Sequence, residues 1–189
     1  MHLVTRKIKD VWRKKQVALI LFLDIQAAFP NTVKEHLLYN MKNRWVPLVY
    51  IKFINNMLSN HRVQLKFDDF TSNHIDITNG TTQGCLLSML IYAFYNADLI
   101  DIAKGKNKLS TGFVNDCTFI ATSNTFTDTH TTLKHMMEWA GGGVEWSHNH
   151  NSPFELSKLA YVYFTQCNTP PQHIPTIHNH LTHQRYGIG

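Results

Sequence analysis

The sequence predicts an α+β fold, an antiparallel sheet with helices packed on one face. A continuous apolar run rich in branched residues, VALILFLDI (17–25), reads as a buried strand. TGFVNDCTFIA (111–121) places two apolar segments on either side of a polar Asn115-Asp116 pair, the pattern of a β-hairpin with a two-residue turn. Helical segments separate these strands, giving the order helix, strand, helix pair, strand, loop, helix, hairpin, helix, strand.

Each element has a local reason. Over residues 3–15, Val4, Ile8 and Trp12 recur at helical spacing with Arg6, Lys9 and Arg13 on another face, so an amphipathic helix is expected. After the first strand, NTVKEHLLYNMKN has Asn31 or Thr32 as N-cap and Leu37, Leu38 and Met41 facing inward. Pro47 suits the first turn of PLVYIKFINNMLSN. RVQLKF alternates as a strand, and DDFTSN is a turn-rich connection. NGTTQG (Asn79–Gly84) is a glycine-bounded loop feeding a long apolar helix, with GKNK interrupting before the hairpin. A further helix covers about Thr127–Trp139 until AGGG breaks it, and SKLAYVYF reads as the last strand. Beyond Phe164 come three prolines and four histidines without periodicity, so residues 165–189 are expected to be an irregular tail. The division is a basic helix (1–16), a central domain (17–164) and that tail.

With 43% apolar and 12% aromatic residues the chain suits a globular domain. Its three cysteines lie far apart without a CxxC pair, which argues against a disulfide framework or a cysteine zinc site. HNH at 148–150 and 178–180, with His183, could bind zinc or nickel adventitiously, but has no partners at motif spacing. The run VALILFL is far short of the roughly 20 apolar residues of a membrane span. It sits at the short limit of a signal-peptide core and ends in Asp24, so neither export nor a membrane partner is expected. Net charge is +5, and residues 1–16 hold six basic side chains against Asp10, whereas the remainder balances at twelve and twelve. Such an arm reads either as a solvated helix face or as a contact for phosphates through Arg6, Lys9, Arg13, Lys14 and Lys15.

Single residues leave two readings open. Asp24, closing a buried strand, is either a solvated strand end or N-cap, or a carboxylate that binds a cation. Asp116 is either a turn residue or a ligand, and Gln83 by itself is a loop residue.

Taken in order, LFLDIQAAF, NGTTQGCLLSMLIYAFYNADL, GFVNDCTFIA and HNSPFELSKLAYVYF resemble the palm of reverse transcriptases from non-LTR (LINE-like) retrotransposons of fungal type, from about residue 3 to Phe164. The resemblance implies a ferredoxin-like polymerase palm. Asp24 matches the first palm aspartate, a ligand of two Mg²⁺ ions (Mn²⁺ as substitute) assisted by the Ile25 carbonyl. Phe29 matches the residue beneath the incoming sugar, and Gly80, Gln83, Gly84 and Ser88 match the pattern that shapes the nucleotide and template pocket. Asn115 and Asp116 stand at the two aspartates of the Phe/Tyr-x-Asp-Asp box, and Lys158 falls near a lysine that approaches the triphosphate. The implied partners are an RNA template, a DNA primer, deoxynucleoside triphosphates and the full-length element protein. The implied location is intracellular, nuclear by analogy.

The departures carry equal weight. Asn115 replaces the essential metal ligand of the box, Leu86 and Thr82 stand where the family has prolines, and Trp45 stands for a glycine before Val46-Pro47. Tyr186-Gly187-Ile188 looks like the family's Tyr-Leu-Gly-Ile element without its leucine. Fingers and thumb are expected to be largely missing. The expectation is therefore a palm with an impaired, degenerate active site. Its rivals are a non-catalytic nucleic-acid-binding or assembly module and an unselected relic.

Overall fold

The computed structural model describes residues 2–166, 175–179 and 184–186. In chain order the elements are α1 (His2–Arg13), β1 (Val17–Asp24), α2 (Lys34–Asn43), α3 (Leu48–Met57), β2 (His61–Val63), β3 (Lys66–Phe67), β4 (Phe70–Thr71), β5 (Ile75–Ile77) and α4 (Leu86–Tyr95). There follow α5 (Ala97–Ile100), β6 (Lys108–Phe113), β7 (Asp116–Ser123), α6 (Phe126–Glu138), α7 (Gly143–Asn149), a 3₁₀ turn (Leu156–Lys158), β8 (Ala160–Phe164), β9 (Ile177–Asn179) and β10 (Gln184–Tyr186). They fall into two compact units, residues 1–26 with 98–189, and residues 27–97.

The first unit is built on a four-stranded antiparallel sheet in the order β6-β7-β1-β8. Strand β1 is central because VALILFL is apolar at odd and even positions alike; both of its faces are buried as far as Leu21, and Phe22 on the even face is exposed. On the odd face, Leu19, Leu21, Phe119 and Ala121 are inaccessible to solvent. Helix α6 covers that face. Tyr163, in register with Leu19, meets its Phe126 edge-on at 5.6 Å and its His130 at 2.7 Å. On the even face, Ala18, Ile20 and Ile120 pack against Val11 of α1, with Val4 and Ile8 alongside. The α+β architecture is as expected, but helices lie on both faces of the sheet and not on one, α6 taking one face and α1 part of the other. The stripe of α1 that packs is Val4, Ile8 and Val11, and Trp12 is turned out to 40% exposure.

The second unit packs α2 between α3 and α4. The buried Asn40 amide donates to the Phe94 and Tyr95 carbonyls at 3.3 and 3.2 Å, satisfying the open end of α4. Tyr92 and Tyr95 are fully buried, and Phe29 packs on Tyr92 with ring centres 5.7 Å apart.

Four local expectations are corrected. The long apolar helix expected after the 79–84 loop ends at Tyr95 with Asn96 as its C-cap, and α5 is a separate short turn. RVQLKF splits into β2 and β3, and the expected DDFTSN connection carries the turn and β4 of a small hairpin. AGGG ends α6, but its last glycine begins α7. In the expected irregular tail, β9 and β10 pair antiparallel, and Ile177 is fully buried. His180, His183, Gly187 and Ile188 lie outside the described residues.

Candidate active site

Strand β1 ends at Asp24, and the register puts Asp116 directly across from it on β7. Cross-strand partners share a face with Cβ atoms about 4.5–5.5 Å apart. The sequence places the hairpin turn at Asn115-Asp116, but the structure places it one residue earlier. Phe113 pairs with Asp116, so the turn is Val114-Asn115 with Val114 at φ 56°. A positive φ at the first turn position matches the right-handed strand twist, even though a β-branched residue is strained there. The shift brings Asp116 into the strand and sets Asn115 at the tip, over the end of β1.

The backbone around Asp24 is held from both sides. Ile25 N–H donates to the Asn115 carbonyl at 3.1 Å, Glu155 N–H to the Asp24 carbonyl at 2.8 Å, and Gln26 N–H to the Pro153 carbonyl at 2.8 Å. Buried Ile25 bridges Phe154. The sequence carries no sign of these contacts of residues 153–155, since backbone hydrogen bonds leave no side-chain signature. Glu155 then caps the 3₁₀ turn by accepting from the Ser157 N–H at 3.3 Å and its hydroxyl at 2.7 Å, which holds its carboxyl below the usual range. That turn delivers Lys158.

The side chains converge on Asp24, whose side chain is 13% exposed. Lys158 Nζ lies 2.7 Å from Oδ2, and the Asn115 amide Nδ2 donates to Oδ1 at 2.6 Å. A nearly buried carboxylate is thereby satisfied at both oxygens. The hydrogen bond to Asp24, then its charge, raise the Lys158 pKa above the usual lysine value. Beneath them, burial with the added charges of Asp116 and Asp24 pushes the Cys117 thiol up to about 12.

This donor set does not fit a pair of magnesium ions. Magnesium takes hard oxygens, one or two carboxylates among them. Here each Asp24 oxygen already accepts a hydrogen bond from a cationic or amide nitrogen, Asn115 offers its nitrogen and not its oxygen, and Asp116 across the strand is the other carboxylate. Among the described residues no group of three His, Cys, Asp or Glu side chains is assembled to hold a metal.

Phe29, Gly80, Gln83, Gly84 and Ser88 fall in the second unit, and the basic residues of α1 in the first. Gly80 N–H donates to the Thr32 carbonyl and Thr81 N–H to the Phe29 carbonyl, each at 2.8 Å, which ties the 79–84 loop to the segment carrying Phe29. Gly80 sits at φ 98°, and a Cβ there would come within 2.9 Å of the Pro30 carbonyl oxygen. Gln83 is exposed and lines a cavity of about 290 Å³ with Pro30, His61, Ile77 and the rest of the 79–82 loop. Gly84 is at φ 84° in open space. Ser88 is buried in the first turn of α4. Arg6, Lys9, Arg13, Lys14 and Lys15 are exposed on α1 and the turn after it, with Arg13 3.4 Å from Asp10.

No family model matches the chain. It is 27% identical over 175 residues to the "Probable RNA-directed DNA polymerase from transposon X-element" of Drosophila melanogaster, covering 90% of this chain and 19% of that protein. It is 23% identical over 169 residues to the RNA-directed DNA polymerase from mobile element jockey of the same species, and 25% over 171 residues to that of Drosophila funebris. These cover 87% of this chain and 18% of each protein, so the chain spans about a fifth of the curated relatives it matches. Among solved structures, apo telomerase from Candida tropicalis truncated from its C-terminal domain matches with a TM-score of 0.63 at 12% identity, over 98% of this chain and 39% of that one. Telomerase of the same organism with a fragment of telomeric RNA matches at 0.63 and 12%, over 97% of this chain and 32% of that one. At that identity the likeness is one of fold. Sheet, hairpin and relatives agree: over about 90% of its length the chain is similar to RNA-directed DNA polymerases of mobile elements, and its fold is similar to that of telomerase.

Proposed function

We propose that this chain is the palm segment of a non-LTR RNA-directed DNA polymerase whose catalytic centre has been closed at Asn115. The substrates of the parent activity are an RNA template, a DNA primer and deoxynucleoside triphosphates, and the natural partner is a full-length element protein. In such a polymerase two divalent ions, Mg²⁺ or Mn²⁺, supply the charge stabilisation of phosphoryl transfer. The observation that carries the closed reading is the 2.6 Å donation from the Asn115 amide to Asp24. With aspartate at that position, two carboxylates would face each other and call for a cation. With asparagine, the contact is a hydrogen bond complete in itself. Lys158 neutralises the second oxygen at 2.7 Å. It thus holds Asp24 in place where the family lysine is turned toward the triphosphate. Loss of the metal-borne charge stabilisation is worth several kcal/mol, roughly a factor of 10³ or more in rate.

Two measurements test this reading. Primer extension on an RNA template with Mg²⁺ or Mn²⁺ should be absent for the native chain; extension by the native chain that Asp24→Ala abolishes would overturn the closed site. Because extension also needs a grip on the duplex, Mn²⁺ binding followed by electron paramagnetic resonance isolates the site itself. Asn115→Asp should bind Mn²⁺ more tightly than the native chain, and equal binding would refute the assignment of Asn115 as the closing residue.

A further inference from the structure

We propose that α1 and the 104–108 turn form one composite cationic surface that holds the phosphate backbone of a nucleic acid, at the end of the sheet away from Asp24. The two segments are far apart in sequence, but Lys7 Nζ donates to the Lys106 carbonyl at 2.6 Å. Thr122 N–H donates to the Asn107 carbonyl at 2.8 Å, and Gln16 to Asn124 at 2.9 Å, which fixes both segments at the Val17 end of β1. Lys104 and Lys106 are exposed beside a helix whose Arg6, Lys9, Arg13, Lys14 and Lys15 are also exposed. The nearest acids in sequence are Asp10, which pairs with Arg13, and Asp101. Burial, and then the charge of Lys14, lower the Lys7 pKa, and the opposing pull of Asp10 does not offset them.

The shape fits an extended polyanion. A helix of 12 residues is about 18 Å long, the length of roughly five phosphates along one strand of a duplex. Trp12, 40% exposed on the same helix, offers a face for base stacking next to Arg13. A membrane surface fits less well, because the apolar stripe Val4, Ile8 and Val11 is already packed on the sheet. Val17 and Asp24 are seven strand steps apart, about 23 Å, so a strand seated here lies outside the carboxylate cluster. The sequence draws attention to residues 6–15 alone. The turn at 104–108 joins them through the fold.

The test is fluorescence anisotropy of a labelled single-stranded RNA of mixed sequence, titrated with the full chain over a range of NaCl concentrations. Lys104→Gln/Lys106→Gln and Arg6→Gln/Lys9→Gln should each flatten the slope of log K against log salt by about 1.4, and their combination by about 2.8. Lys52→Gln, an exposed lysine of α3, should leave it unchanged. Wild-type binding by the 104/106 variant would overturn the composite surface. Preferential binding to phosphatidylserine vesicles over RNA would overturn the choice of ligand. Neither outcome bears on the closed polymerase site, whose readout is Mn²⁺ binding at residue 115.

Discussion

Asn115 and Asp24 form a donor–acceptor pair at 2.6 Å where the resemblance to reverse transcriptases implies two metal-bound carboxylates. The amide makes the tip of the central strands self-sufficient. Replacing it reverses the sign of that contact.

Asn115→Asp therefore destabilises the metal-free protein. Removing a donor from a largely desolvated carboxylate costs about 1–3 kcal/mol, and a domain of this size loses about 2–4 °C of melting temperature per kcal/mol. A fall of roughly 3–10 °C is expected by differential scanning fluorimetry. Millimolar Mn²⁺ should restore most of it in the variant and leave the native chain unmoved. A variant that melts like the native chain would show that the 2.6 Å contact contributes nothing.

Lys158→Met should lower the melting temperature, and Lys158→Arg less so. Because Lys158 has its pKa raised above the ordinary 10.5, the ion pair's contribution is fully present below that pH. It is lost only as pH rises through the higher, folded value. The native-minus-Met difference in unfolding free energy should thus be flat through neutral pH and shrink above 10.5. A difference that changes near neutrality would mean another group controls it.

The two described cysteines should react at very different rates. Backbone N–H groups of Ser88 and Leu87 lower the Cys85 pKa at the start of α4. Cys117 is 1% exposed, with its thiol pushed up to about 12. Iodoacetamide near neutral pH should label Cys85 first and Cys117 only on unfolding, as read by peptide mass spectrometry. Since an unfolded thiol ionises near 9.0, Cys117 also withdraws stability as pH rises from there towards 12. Cys117→Ala should remove that part of the alkaline loss.

Gly80 and Gly84 separate backbone strain from collision. Both have positive φ, but a Cβ at Gly80 meets the Pro30 oxygen at 2.9 Å, whereas Gly84 faces open space. Gly84→Ala should cost about 1 kcal/mol and Gly80→Ala about 2–3 kcal/mol in urea unfolding. Equal costs would show that the 79–84 loop yields without disturbing the Pro30 backbone.

Apolar patterning made much of this architecture readable. Val17–Leu23 has no polar break and forms a central strand, and the Phe126–Glu138 helix follows its period closely. What the pattern hid depends on the backbone. Asn115 tolerates a positive φ and Val114 does not, so local preference places the turn one residue late. The register with β1 overrides that preference at the expense of strain in Val114. Asp24, Asn115, Asp116 and Lys158 were all named from the sequence. Which atom of Asn115 faces Asp24, and that Lys158 occupies the other oxygen, could be learned only from the fold.

Composition ends the domain at Phe164, but burial does not. Ile177 is fully covered and packs at α6, and the His178 N–H donates to Glu138 at 2.6 Å. A recombinant fragment stopped at Phe164 would strip a core side chain from α6 and leave a nearly buried glutamate short of a donor. Such a fragment would precipitate for reasons unrelated to its active site. The usable cloning boundary therefore lies beyond residue 178.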